Sequence, residues 1–474
     1  MDCIADAFAG FIDRYGRFFR SRGHDNAAVA QRYLHGLAQA EAATFAAMAA
    51  VVEDGCAQQF QHFISNAPWR HEPVIEQIGR DADRLLGGKP DSALILDDSS
   101  FVKQGDRSVG VARQWCGRLG GGSQGSVHVS ERKAAGGKVD NCQVAVFAVL
   151  TDGARHVPVD MRLYLPQCWI KDPARCDRAE IPPEARQMRA KTDLALEMVR
   201  AARARGMRFA WVGVDGGYGK EPAFLRALDN MGEVFVADVH CDQRVWTEPP
   251  GLHVPPPQST RGRSPSKQQA AVDNTTVEKL VAGFGADDWI RCTLRDSTRG
   301  PLRVDIAHRQ VWVWDGEEAA PRCWHLIVRR EVGTPKRIKY SLSNAAADTK
   351  LERLAQMQGQ RYWVERAFED AKGECGLADY QAVGDRAREG GWRAWHHHVS
   401  MVMLAMLFIV EQRVAHQPGL ALLTPRDIVE MLKETLPRKP QGKAALVDQI
   451  NQRHARRRSA IQSRYRSQRR KAPT

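Results

Sequence analysis

The 474-residue sequence predicts an α/β protein with a helical N-terminal domain and a β-rich insertion in its core. Three observations carry that expectation. Residues 1–90 read as all-helical, with Ala-rich amphipathic stretches over 27–52 and 56–64. From Asp91 onward, apolar β-type runs alternate with helical periodicity, the pattern of a sheet covered by helices. Between residues 289 and 342 four β-type runs follow in succession.

Taken in order, the core opens with strands over 93–98, 143–150 and 157–165, then a helix near 185–204. A strand over 208–214, a helix around 222–231 and a strand over 233–239 follow. Three strands, helix, strand, helix, strand is the order of a ribonuclease-H-like α/β core. The Pro-rich stretch 254–257 and the basic loop 259–267 mark a boundary. Runs over 289–294, 302–314, 323–330 and 338–342 read as a β-rich insertion of about 100 residues. A helical stretch over 361–372, a packing helix over 392–410 and a short helix over 425–436 complete the chain. From Arg453 to Thr474 there are nine Arg or Lys and no acid, so a flexible polybasic arm is expected. The expected division is therefore 1–90 helical with possible DNA binding, 91–240 first part of the core, 241–345 insertion, 346–437 rest of the core, and 438–474 basic tail.

Bulk properties narrow the function. At 43% hydrophobic with 12 Trp the composition is globular, and the length calls for two to four domains or large insertions. A net charge of +13 and a pI near 9.4 point to a polyanionic partner. The N-terminus begins acidic and turns amphipathic, unlike a cleavable signal, and the most apolar run, 401–410, is too short to span a bilayer. No membrane partner is expected. Ten scattered cysteines without a C-x-x-C pair suggest neither a zinc ribbon nor a disulfide framework, so a cytoplasmic, reduced protein is expected.

Three acids stand where backbone elements would aim them into one site. Asp97 follows the apolar Leu94, Ile95 and Leu96, and Asp215 follows the run 209–214, so both are expected at the ends of buried strands. Glu365 shares a helix face with Arg361, Phe368 and Lys372. Oxygen ligands without nearby His or Cys suit hard divalent cations, and carboxylates with open positions suit two-metal phosphoryl transfer. Asp97 and its neighbour Asp98 point to opposite faces of a regular strand. Alternation alone leaves the two open; Asp97 is taken for the site, with Asp98 as a cap or the partner of a basic residue. Glu369 and Asp370 are read as surface ion-pairing residues.

These residues resemble the DDE transposases of bacterial insertion sequences, in the branch with a β-rich insertion before the last acid. The signature there is tyrosine, two residues, arginine, three residues, glutamate, six residues, lysine. Arg361, Glu365 and Lys372 match it, whereas Gln358 stands at the tyrosine position. The segments D-D-S-S-F-V-K-Q-G-D-R-S-V-G-V-A-R-Q-W-C-G, D-N-C-Q-V-A-V, R-L-Y-L-P-Q-C-W, V-D-G-G-Y-G and F-E-D-A-K-G-E-C-G-L-A-D-Y extend the likeness over about residues 25–410. The resemblance implies that Asp97, Asp215 and Glu365 bind two Mg²⁺ ions, with Mn²⁺ as a substitute, while Arg361 and Lys372 hold phosphates. It implies cleavage of a transposon end by water, then attack of the 3′-hydroxyl on target DNA. Implied partners are double-stranded DNA, as terminal inverted repeats and target, and a second copy in a homodimeric synaptic complex; the location would be cytoplasmic, at the nucleoid. The alternatives are a structure-specific nuclease on the same fold and a DNA-binding derivative without activity.

Among the remaining features, Arg261, Arg263 and Lys267 form a cationic loop suited to DNA backbone contact, and Arg14, Arg17, Arg20 and Arg22 could serve a helical DNA-binding domain. Trp289, Trp312, Trp314 and Trp324 read as insertion core, with base stacking as the other use. His396, His397 and His398 radiate about 100° apart on a helix and cannot ligate one ion together. Gly117 and Gly120 to Gly122 lack the ending of a P-loop.

Overall fold

The computed structural model of the chain describes residues 2–116 apart from 22, 139–256, 265–379 apart from 298, 299 and 333, and 391–440 apart from 417, 418, 420 and 421, with scattered residues between 442 and 462. A mixed sheet of ten strands lies at its centre. In chain order these are β1 (Ala93–Val102), β2 (Ala112–Trp115), β3 (Val139–Thr151), β4 (His156–Leu163), β5 (Trp211–Val214), β6 (Phe235–Val239), β7 (Ile290–Ser297), β8 (Gly300–Val313), β9 (Arg322–Glu331) and β10 (Thr334–Ser343). Across the sheet the neighbours run β7-β8-β9-β10-β6-β5-β1-β3, and β2 and β4 pair with successive halves of β3. The strands β1, β5 and β6 are parallel. Each other pairing is antiparallel.

The parallel centre is buried on both faces, which explains its continuous apolar runs: residues 93–96 of β1 and every residue of β5 are buried. The long strands β7 to β10, expected as an insertion, do not close as a separate sheet. Instead β10 pairs with β6, setting Ser341 opposite Asp238, so that the predicted 241–345 stretch continues the core sheet. An unpaired edge at β6 would leave backbone donors and acceptors open, and β10 fills it.

The longer helices are α1 (Asp2–Gly16), α2 (Ala27–Gln39), α3 (Phe45–Val51), α4 (Ala57–Ser65), α5 (His71–Leu86), α6 (Lys191–Ala204), α7 (Pro222–Asn230), α8 (Leu351–Gln360), α9 (Tyr362–Glu374), α10 (Trp392–His416) and α11 (Pro425–Thr435). The expected helical stretch 27–52 is broken in two, because Thr44 caps α3, its hydroxyl accepting from the Ala47 amide at 3.2 Å. By length and composition α10 could cross a membrane, yet 78% of its apolar window is buried inside the protein. It packs against α4, α5 and β4, which makes it a core helix. The three histidines fasten it there. His397 stacks on Trp69 and meets the Ile64 and Trp69 carbonyls at 2.9 Å, and His398 meets the Tyr33 hydroxyl at 2.9 Å. Burial pushes both imidazoles down to about 3. The N-terminal helices and the sheet thus share one hydrophobic core.

One glycine holds the sheet close to the element that follows β5. In the one-turn helix Gly216–Gly219, a Cβ added at Gly219 would come within 1.9 Å of the Asp238 carbonyl oxygen on β6. Gly219→Ala is expected to cost about 1–3 kcal/mol through overpacking. A thermal melt checks it; an unchanged Tm would show that β6 gives way freely.

Candidate active site

The parallel pair β1 and β5 sets the site. Its ladder ends where Leu96 lies opposite Val214, so Asp97 and Asp215 are the first residues past its end. Asp97 is therefore not at the end of its own strand, contrary to the expectation. β1 runs on to Val102 beside β3, with Asp97 opposite Phe147, and only the shorter partner β5 stops. Asp215 caps the following one-turn helix, its Oδ1 accepting from the Gly217 and Tyr218 amides at 2.9 and 3.2 Å. Asp98 turns away to accept from Lys191 Nζ at 2.8 Å, as strand alternation requires.

Arg361 joins the remaining acids. It sits with helical φ and ψ between α8 and α9, and its guanidinium meets three carboxylates. Nε lies 3.0 Å from Asp238 Oδ2, Nη2 lies 2.5 Å from Glu365 Oε1, and Nη1 lies 3.7 Å from Asp97 Oδ2. Asp238 is fixed in turn. Its Oδ1 accepts from Ser341 Oγ at 2.6 Å, and Gln358 Nε2 donates to the same hydroxyl at 2.8 Å. Gln358, the residue at the signature's tyrosine position, is thus buried beneath the arginine and anchors it. The sequence reading missed Asp238. Its signal was the same as that of Asp215: an acid closing an apolar run, here F-V-A-D-V, in a strand of the parallel centre.

The electrostatics follow from this crowding. Burial first, then the Asp215 carboxylate, hold the Asp97 carboxyl well above the usual range, against the pull of Arg361. Burial also raises Asp215, with Arg361 the main opposing influence. For Arg361 burial works against the charge, but Asp238, Glu365, Asp97 and Asp215 together outweigh it, so its proton is held more tightly than usual. Among the described residues the buried Tyr218 hydroxyl has no hydrogen-bond partner, and burial followed by Asp98, Asp97 and Asp215 raises its pKa.

Among the described residues no three acids, histidines or cysteines gather closely enough to hold an ion. The reason is Arg361, which stands between Glu365 and the aspartates. The Asp97 and Asp215 pair by itself fits a hard divalent cation: its donors are all oxygen, and a cation would relieve the repulsion between half-buried carboxylates. Glu365 differs, with a side chain 51% exposed against 14% for Asp97, and is linked to the pair through the guanidinium.

Of the other expected contacts, Lys372 lies beside β1, its Nζ donating to the Ser100 carbonyl at 3.5 Å, three residues past Asp97. Lys267 is exposed near Trp246 and Trp314, while Arg261 and Arg263 lie outside the described residues, as do Gly117, Gly120 to Gly122 and most of the basic tail. Arg14 forks onto both Glu411 oxygens and Arg20 pairs with Asp25, and both arginine side chains remain exposed. The tryptophans pack. Trp324 stands edge-on to Phe235, Trp314 to Trp246 and Trp289 to Phe284, and Trp312 bridges to Trp246 through the backbone. Arg366 pairs with both Glu369 and Asp370, and Asp370 also meets His156 at 2.9 Å.

The mixed α/β sheet brings two strand-borne carboxylates to one point, with Arg361 and the helix-borne Glu365 beside them. The chain belongs to the DDE superfamily endonucleases, whose family model matches residues 17–301. That match takes in Asp97 and Asp215 and ends before Glu365. The chain is also 20% identical over 380 residues to a protein of Microchaete diplosiphon named "Probable transposase for insertion sequence element IS701", covering 78% of this chain and 81% of the relative. Both comparisons bear out the resemblance to DDE transposases read from the motifs. The solved NurA nuclease of Sulfolobus solfataricus aligns with 63% of this chain and 85% of its own at 9% identity, with a TM-score of 0.25, too low to bear on the fold.

The raised carboxyl of Asp97 has a measurable consequence. A group whose folded pKa stands above its unfolded value of about 4 binds more protons folded than unfolded between the two, so stability falls as pH rises through that window and stays lower above it. Asp97→Asn removes this loss. In chelator-treated protein the variant is expected to melt higher than wild type at pH 7, the two curves converging as pH falls toward 4. A lower melting point at pH 7 would show that the attraction to Arg361 outweighs burial.

Proposed function

We propose that the chain is a DNA transposase that mobilises an insertion sequence by phosphoryl transfer, cleaving the element's ends with water and joining the released 3′-hydroxyl to target DNA. The observation that carries the reading is the convergence of Asp97 and Asp215 at the end of one parallel ladder, with Glu365 drawn to them by Arg361. The order β4-β3-β1-β5-β6, antiparallel on one side of β1 and parallel on the other, supports a ribonuclease-H-like core. In this reading β7 to β10 are an insertion that extends that core before the helix of Glu365.

Asp97, Asp215 and Glu365 would hold two Mg²⁺ ions, or Mn²⁺ in their place. Bound there, the ions supply Lewis-acid stabilisation of the attacking and leaving oxygens. The chain's own residues do the rest. Arg361 links Glu365 to Asp97 through its guanidinium, and the Asp238, Ser341 and Gln358 chain keeps Arg361 in place. Capping of the Gly216–Gly219 turn fixes the Asp215 carboxylate, which leaves Oδ2 free of those amide bonds. Lys372 and Lys267, together with Arg261 and Arg263, would contact DNA phosphates, and a homodimer would pair two transposon ends at the nucleoid. The second reading, a nuclease that cleaves without joining, is favoured by the endonuclease description of the matching family.

The test uses the full protein, Mg²⁺ and a DNA fragment carrying the element's own terminal inverted repeat. Joining of a 3′ end to a second DNA supports the transposase, cleavage alone supports the nuclease, and binding without chemistry supports an inactive derivative. Asp97→Asn, Asp215→Asn and Glu365→Gln are each expected to lower chemistry by about 10²–10³-fold or more while sparing DNA binding. Full activity in any one of them removes that residue from the site. Independently of activity, Mg²⁺ is expected to raise the Tm of wild type and to leave that of Asp215→Asn unmoved, because only a site present in the folded state shifts the melt. An equal rise in both would place the ion elsewhere.

A further inference from the structure

Arg361 is the cation that the motif resemblance assigns to phosphate, yet its three guanidinium nitrogens already face Asp238, Glu365 and Asp97. Phosphate charge arriving beside it must be met by other groups. The strands β9 and β10 supply two of them, with Arg329 directly opposite Lys339. Side chains so paired have Cβ atoms about 5 Å apart, and like charges there destabilise a sheet. Both residues lie two positions along their strands from the pair Ile327 and Ser341, and Ser341 is in turn opposite Asp238, so the two cations share the sheet face that holds Arg361.

Among the described residues neither Arg329 nor Lys339 takes part in an ion pair. Burial pushes Arg329 below its ordinary range. Burial followed by repulsion from Arg361 and Arg329 does the same to Lys339. A third cation comes from β7. Arg295 stands over the ring of Tyr362, the residue beside Arg361 in sequence, 3.3 Å from its centroid, and hydrogen-bonds that tyrosine, while among the described residues its buried Nη1 has no hydrogen-bond partner. Glu365 lies within electrostatic reach of both Arg295 and Lys339, which places the group on the glutamate's side of the site.

We propose that Arg295, Arg329 and Lys339 form a phosphate-binding subsite that receives the DNA backbone beside the carboxylates. The proposal rests on the reading of the chain as an enzyme of DNA. Three cations held together against their mutual repulsion are completed by an anion. A phosphodiester suits them, since its two non-bridging oxygens accept from arginine forks and a lysine alike. The division of roles then follows: Arg361 orders the acids, and the strands of the insertion carry the phosphate.

The experiment measures anisotropy of a fluorescent 40-base-pair duplex of arbitrary sequence against the full chain, with chelator present, from about 50 to 300 mM salt. Each phosphate contact contributes about 0.9 to the log–log salt slope. The triple variant Arg295→Gln, Arg329→Gln, Lys339→Gln is expected to flatten the slope by about 2.7 and weaken binding at least ~10-fold at 100 mM salt. Its Tm should equal or exceed that of wild type, because repulsion has been removed. If the triple variant fails to fold, the single change Lys339→Gln decides, with an expected slope change of about 0.9. Wild-type binding with an unaltered slope in the variant overturns the subsite and leaves the DNA reading standing. No binding by wild type at the lowest salt overturns the DNA reading and the subsite with it. A lowered Tm with an unaltered slope would assign these residues to the fold.

Discussion

Two half-buried aspartates placed side by side repel one another and lose hydration, and the arrangement persists in this chain because Arg361 stands against them. The guanidinium is itself largely buried, so it needs fixed partners to offset its own desolvation. Asp238 and Glu365 provide them. Ser341 and Gln358 hold Asp238, which makes the position of Arg361 depend on β6, β10 and α8 at once. The strand β10 is thus part of the site's construction: without it beside β6, Asp238 would lose its hydroxyl donor and the arginine its anchor.

Much of this was legible in the sequence, for reasons that differ from residue to residue. Asp97 and Asp215 could be found because a parallel strand buried on both faces reads as an unbroken apolar run, and a charge at its end stands out. Glu365 could be found because helix periodicity ties it to Arg361 and Lys372. The order of strands and helices was readable too, since each period change is local. Pairing was not. That β5 stops at Val214 while β1 runs on, leaving Asp97 in mid-strand, is a matter of register between segments more than 100 residues apart. The same holds for the continuity of β6 with β10, and for Asp238, whose role depends on an arginine far along the chain. Gln358 shows the limit from the other side. Read as a departure from a signature tyrosine, it proves to carry a hydrogen bond that the local sequence could not disclose.

Charge is distributed with the same logic. Two of the basic residues that drew attention as DNA contacts, Arg14 and Arg20, form exposed pairs with Glu411 and Asp25. Near the carboxylates, Lys372 on α9 is joined by cations of the sheet, where alternation gathers Arg329 and Lys339 on the face that bears Arg361. A net charge of +13 therefore says that a polyanion is expected, and the pairing of strands says where its phosphates would meet the acids.

The central claim is that Asp97 and Asp215, not Asp98, form the metal-holding pair, with Arg361 ordering the acid on the helix. Anomalous diffraction from crystals of the full chain soaked in Mn²⁺ tests it most directly. The account predicts a manganese peak ligated by carboxylate oxygens of both Asp97 and Asp215, with Asp98 still bound to Lys191. A peak ligated by Asp98, or one at a distance from Asp215, would contradict it.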